Sequence, residues 1–179
     1  MSNKLRVAFI EPVGGHGGND FYDFGLCKAI NDAGVDVFFY TTNETALQNQ
    51  FNFNFETVLS YKNIYGKTPA VIRGIRYLLS TIRTVYHARK AGCVIAHFHL
   101  YHFSNREFFN FLAFKFFGFK IVSTIHDVED FQKFGKAINP KKYLRFQKRT
   151  DAVITEIGVP VFKLVESFFT GVSLIFGSI

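Results

Sequence analysis

Six short runs rich in β-branched and aromatic residues alternate along the chain with longer segments of helical spacing, and this alternation most restricts the fold. The runs are RVAFI at 6–10, VDVFFY at 35–40, CVIAHF at 93–98, KIVSTI at 120–125, DAVIT at 151–155 and VSLIF at 172–176. Continuous apolar runs of this length read as parallel strands covered on both faces. The intervening segments at 20–33, 69–91, 105–117, 140–148 and 160–169 carry helical periodicity. Several open on Asn, Asp or Pro, and Gly34, Gly92 and Gly118 follow three of them as helix stops. Strand and helix in alternation build right-handed βαβ units. The expected fold is therefore α/β, a Rossmann-like, doubly wound, mostly parallel sheet of about six to seven strands with helices on both faces. The segment 43–67, rich in Asn, Gln, Phe and Tyr, shows no clear period and suggests only an irregular strand near 55–60.

Composition supports a packed core. The chain has 179 residues, 48% of them hydrophobic, with 24 Phe and no Trp. Neither an internal repeat nor a Pro/Gly/Ser-rich linker divides it, so residues 1–179 are expected to form a single domain. The two cysteines, Cys27 and Cys93, are too few for a disulfide framework and lack zinc spacing. A reducing, cytoplasmic setting is expected, the more so because the apolar run from Leu5 to Ile10 is too short for a signal peptide. No uninterrupted apolar run reaches the roughly 18 residues of a membrane span, so any membrane contact is expected to be peripheral.

In an open parallel sheet, ligands bind beyond the carboxyl ends of the strands near the point where strand order reverses. Three places therefore matter. The first is Gly14-Gly15-His16-Gly17-Gly18, with Asn19 and Asp20, between the first strand and first helix. Glycines allow close backbone approach and a helix N-terminus favours an anion, which suggests a phosphate-bearing ligand; the plainer reading is a tight turn. Asp20 stands where the dinucleotide fingerprint requires its third glycine, and no Gly-Lys-Ser/Thr of a P-loop follows, so plain NAD or ATP binding is disfavoured. The second place is His97 and His99, two apart on a strand and hence on one face. With His126 and Asp127 they would offer a metal set for a hydrolase, although paired histidines also line polar clefts, and no metal is expected. The third is Thr124-Ile125-His126-Asp127, where a strand ends in groups suited to acid/base work or sugar-hydroxyl contacts; a solvated acidic loop is the alternative.

Charge is unevenly spread. The chain carries 21 Lys and Arg against 14 acids, a net charge of +7. Residues 57–106 contain eight cations and no acid. At about 100° per residue, Arg73, Arg76, Arg83, His87 and Lys90 share one sector of the helix at 69–91. Ile72, Ile75, Leu78, Leu79, Ile82, Val85 and Tyr86 occupy the adjoining side. Such a stripe suits an anionic lipid surface or the steering of an anionic substrate, or is simply an exposed basic face. Nucleic acid is not expected as a partner, since no recognition module is visible. The segment NREFFNFLAFKFFGFK is apolar nearly all round and reads as a buried helix, or else as one lying partly in a bilayer interface.

The stretch RVAFIEPVGGHGGNDFYDFGLCKAINDAGVDVFFYTT, followed by VIAHFH and VSTIHDVEDF, resembles the N-terminal domain of GT-B-fold glycosyltransferases, especially the group 1 (family 4) enzymes that build bacterial polysaccharides. The resemblance spans nearly the whole chain. It implies an acceptor-binding lobe facing a second lobe that holds a nucleotide-diphosphate sugar. Gly14, Gly15, His16, Gly17 and Gly18 would match the family's loop near the donor phosphates and acceptor. His126 would match its donor-sugar histidine, Asp127 an orienting group or base beside it, and His97 and His99 the cleft-lining strand. No segment resembles the donor-binding lobe with its paired-glutamate motif, so that lobe is expected elsewhere in a longer chain or in a partner. No covalently bound cofactor is implied. The implied acceptor is lipid-linked or glycan, met at the cytoplasmic face of the plasma membrane by a surface that includes Arg73, Arg76, Arg83 and Lys90. A non-catalytic, flavodoxin-like module binding a phosphate ligand is the alternative from another class.

Overall fold

A computed structural model describes residues 4–15, 19–45, 53–100, 103–125, 140–155 and 173–175. The described elements run β1 (Arg6–Ile10), α1 (Asn19–Asp32), β2 (Asp36–Thr41), β3 (Glu56–Leu59), α2 (Ala70–Lys90), β4 (Ile95–Leu100), α3 (Asn105–Phe116), β5 (Lys120–Ile125), α4 (Pro140–Gln147), β6 (Ala152–Thr155) and β7 (Ser173–Ile175). The seven strands form one parallel sheet in the order β3-β2-β1-β4-β5-β6-β7. This is the expected α/β, Rossmann-like architecture. The helix expected at 160–169 lies outside the described residues.

Local chemistry sets the element ends. Gly34, Gly92 and Gly118 all have positive φ just past α1, α2 and α3, the left-handed stop that a side chain would strain. At the start of α3, the Ser104 hydroxyl accepts from the Glu107 backbone N–H while the Glu107 carboxylate accepts from the Ser104 N–H, a reciprocal capping box.

The two faces of the sheet are packed differently. On one, Phe9, Val37 and Phe39 meet Phe24 and Cys27 of α1. Phe53 and Phe55 extend this cluster and stack on each other at 5.2 Å. The strand expected near 55–60 is β3, and just before it Phe53 and Phe55 both pack on Phe24 of α1. On the other face, Ala8, Ile10, Tyr40, Ala96, Phe98 and Ile121 pack under α2, α3 and α4, with Phe111, Phe114 and Phe146 filling the space. Rings meet edge to face, as at Phe98–Phe114 and Phe111–Phe146.

Helix α2 packs against expectation for an amphipathic helix. Its buried residues are Tyr77, Ser80, Thr81, Thr84, Val85 and Ala88, mostly small or hydroxyl-bearing. A polar network holds them: Thr84 Oγ1 donates to Ser60 Oγ at 2.8 Å, and Asn110 bridges the Tyr61 and Tyr77 hydroxyls at 3.1 Å each. Ile72, Ile75, Leu78, Leu79, Ile82 and Tyr86 consequently point to solvent. Helix α3 is divided rather than wholly buried, with Phe108, Phe111 and Phe114 inside and Phe109, Leu112 and Phe116 outside.

Candidate functional site

Strand order reverses between β1 and β4: the chain leaves β1 toward β2 and β3, then crosses to β4 and continues toward β7. A crevice at the carboxyl ends of β1 and β4 follows from that divergence. The side chains gathered there are Glu11, Asp20, Asp23, His97, His99 and Thr124, all buried.

Glu11 follows β1 directly, and its carboxylate folds back into the βα turn. Its two oxygens accept the backbone N–H groups of Val13 at 2.7 Å and Gly14 at 2.6 Å. These amides are the first donors a phosphate would seek in such a turn, and the chain's own carboxylate already holds them.

Gly14 and Gly15 meet steric demands in the same turn. Gly14 has φ +71°, and a Cβ there would lie 2.1 Å from Thr42 Cγ2. A Cβ on Gly15 would lie 2.8 Å from the Glu44 carbonyl oxygen and 3.0 Å from Asp20 Oδ2. Two of the glycines thus let the β1 turn nest against the loop after β2. His16, Gly17 and Gly18 lie outside the described residues, as do His126 and Asp127, although β5 ends at Ile125 immediately before the last two.

His97 and His99 lie on the α1 face of β4, as their spacing requires, yet they do different things. His97 Nε2 lies 2.8 Å from Thr124 Oγ1 on β5, and its ring packs on Phe9 with centroids 4.7 Å apart. Burial first, then the neighbouring His99, pushes its pKa down to about 3, so His97 is neutral at physiological pH. His99 Nδ1 lies 2.5 Å from Asp23 Oδ1 on α1, and its ring meets that of Tyr22. Burial, helped by the charge of Asp20, raises Asp23 to about 8. Glu11 is raised by burial and by Asp23, against the downward pull of its two amide hydrogen bonds.

The arrangement is a buried acid–imidazole cluster beneath the glycine turn: burial raises the Glu11 and Asp23 carboxyls, and Asp23 is hydrogen-bonded to the His99 imidazole. Its fully buried side chains brace the turn and fix the histidine rings. Of the residues singled out in the sequence, the structure brings Gly14, Gly15, Asp20, His97 and His99 together, and it adds Glu11 and Asp23, which are not among them. Both had a signal. Glu11 is the first polar residue after an apolar strand, and Asp23 stands three residues beyond Asp20, on the same helix face. Among the described residues, no group of three or more His, Cys, Asp or Glu is arranged to hold a metal ion.

No protein-family model matches the chain, and no curated protein matches it significantly. Solved structures do. Sucrose-phosphate synthase from Thermosynechococcus elongatus superimposes with a TM-score of 0.64 at 15% identity, over 96% of this chain and 48% of that one. The Anabaena HepE protein in complex with UDP and glucose gives 0.61 at 11% identity, over 98% of this chain and 45% of that one. The lipopolysaccharide outer core galactosyltransferase WaaB, in its apo form, gives 0.57 at 12% identity, over 98% of this chain and 46% of that one. This chain spans about half the length of the structures it matches. Neither a flavodoxin-like module nor a metal-dependent hydrolase is favoured by these neighbours. The seven-stranded parallel sheet described above is the fold of one lobe of a GT-B glycosyltransferase.

Proposed function

We propose that the chain is the acceptor-side lobe of a glycosyltransferase that moves a sugar from a nucleotide-diphosphate sugar to a lipid-linked or polysaccharide acceptor in bacterial cell-surface or exopolysaccharide synthesis. The observation that carries this reading is the match in fold, over nearly the whole chain, to transferases that include one solved with UDP and glucose. The buried acid and histidine cluster at the strand-order reversal supports it, because it braces the edge of the sheet where substrates of such folds are bound. In this reading Gly14 to Gly18 border the acceptor and donor phosphates. His126 contacts the donor sugar from the end of β5, with Asp127 orienting it or acting as base. His97 and His99 act from below as positioning residues. The donor is held chiefly by a second lobe, in the same or a partner chain, and Arg73, Arg76, Arg83 and Lys90 face the anionic cytoplasmic surface of the plasma membrane.

The test is sugar transfer followed by mass spectrometry, with a panel of nucleotide-diphosphate sugars and a bacterial lipid extract as acceptor. The chain alone is expected to give no turnover, and the chain supplied with its donor-binding lobe to give turnover that His126→Ala lowers about 100-fold or more. Turnover by the chain alone would overturn the need for a second lobe. Nucleotide-sugar binding without transfer in any combination would replace the enzyme by a binding module.

A further inference from the structure

The outward face of α2 is apolar while its inward face is polar, the reverse of a helix whose only task is to cover a sheet. Val71 is 74% exposed, Ile75 53% and Leu79 52%, and Ile72, Leu78 and Ile82 lie between them. At about 100° per residue these six fall within a sector of roughly 120°, opposite the buried Ser80, Thr84 and Ala88. The row runs along a helix of 21 residues, about 30 Å. On the same side of the sheet, α3 turns Phe109, Leu112 and Phe116 outward, Phe116 being 85% exposed. A continuous apolar helix face of this length is more than scattered surface residues and marks an interaction surface.

Charge selects the partner. Arg76, Arg83 and Lys90 border the apolar row along one flank, and α2 contains no acidic side chain. A second copy crossing this face antiparallel about a two-fold axis would set those cations against their own images, and in either orientation it offers them no acidic partner from α2. An anionic bilayer instead offers negative headgroups to the cations and acyl chains to the apolar row. No helix among the described residues is long and apolar enough to cross a membrane, so the fitting geometry is a helix lying in the interface. We propose that α2, aided by the outward side of α3, inserts its apolar row into the interface of an anionic lipid bilayer, with Arg76, Arg83 and Lys90 on the headgroups. This rests on the membrane-face part of the reading above and adds insertion to what was an electrostatic contact.

The experiment is co-sedimentation of the chain with vesicles of phosphatidylcholine alone and of phosphatidylcholine with one part in three of phosphatidylglycerol. The wild-type chain is expected on the anionic vesicles and only weakly on the neutral ones. Ile75→Ser with Leu79→Ser, which removes apolar surface without altering charge, is expected to weaken binding about 100-fold. Arg76→Gln with Arg83→Gln is expected to weaken it about 10-fold and to blunt its sensitivity to salt. The serine pair lies on the exposed face; Arg76 also donates to the Asn63 carbonyl at 3.2 Å, so circular dichroism and thermal unfolding check that every variant folds. Binding unchanged by the serines would overturn insertion while leaving electrostatic attachment standing. No sedimentation with either vesicle would overturn both. A dimer seen by light scattering and abolished by the serines would assign the face to a second copy. None of these readouts requires sugar transfer, so the glycosyltransferase reading is tested separately.

Discussion

His99 Nδ1 lies 2.5 Å from Asp23 Oδ1, and neither side chain is reached by solvent. The pair joins α1 to β4 directly beneath the glycine turn, and Asp20 and Glu11 crowd it with further carboxyl groups. Burial, with the charge of Asp20 beside it, raises Asp23 and favours its neutral form, since an uncompensated charge there would be buried at high cost.

The Asp23 proton makes stability depend on pH. Asp23 titrates near 8 in the folded chain, against 3.8 for a free carboxyl group. The native state therefore binds the proton more tightly, and the stability it contributes is fully present below pH 4 and lost as pH rises through 8. His97 acts oppositely: its folded value of about 3 against 6.5 adds stability as pH rises from 3 to 6.5. Between pH 6.5 and 8 the Asp23 effect is left, reinforced by the raised Glu11, and unfolding free energy should fall by about 1 kcal/mol per pH unit. Asp23→Asn, whose amide can still donate to His99, should flatten that slope in urea titrations. An unchanged slope would show that Asp23 is ionised in the native state.

Thr124 Oγ1 is the partner of His97 Nε2, both within the buried layer between β4 and β5. Thr124→Val keeps the shape and deletes the hydroxyl, leaving a neutral imidazole nitrogen without its bond. A loss of about 1–3 kcal/mol is expected from denaturant unfolding. A change under about 0.5 kcal/mol would mean that the ring finds another partner.

Gly14→Ala meets two obstacles, the left-handed φ of +71° and the Thr42 methyl 2.1 Å from the new Cβ. The first alone costs about 1–2 kcal/mol. Thr42→Ser removes the methyl, so the double variant should recover part of the lost stability but not the backbone strain. Full recovery would mean that only the clash mattered.

Ser104→Ala removes the hydroxyl that accepts the Glu107 N–H and also touches the Glu107 carboxylate, while the backbone half of the box, Ser104 N–H to Glu107, remains. The expected loss is about 1 kcal/mol, read as a lower midpoint in thermal unfolding. Ser104→Asp should restore most of it, because an aspartate accepts the same amide and suits the helix N-terminus.

The sequence by itself determined the alternation of strands and helices, because apolar runs of five or six residues and glycine stops are local signals, and it placed Gly14, Gly15, Asp20, His97 and His99 at one edge. It did not determine which of those side chains touch. That His97 faces Thr124 while His99 faces Asp23 depends on the β4–β5 register and on the seat of α1, both set by packing between segments far apart in the chain. The same holds for α2. Its pattern located a cationic stripe and an apolar side, but which side turns inward was decided by Ser60, Tyr61 and Asn110, whose polar groups pair with the hydroxyl face and leave the isoleucines and leucines outside.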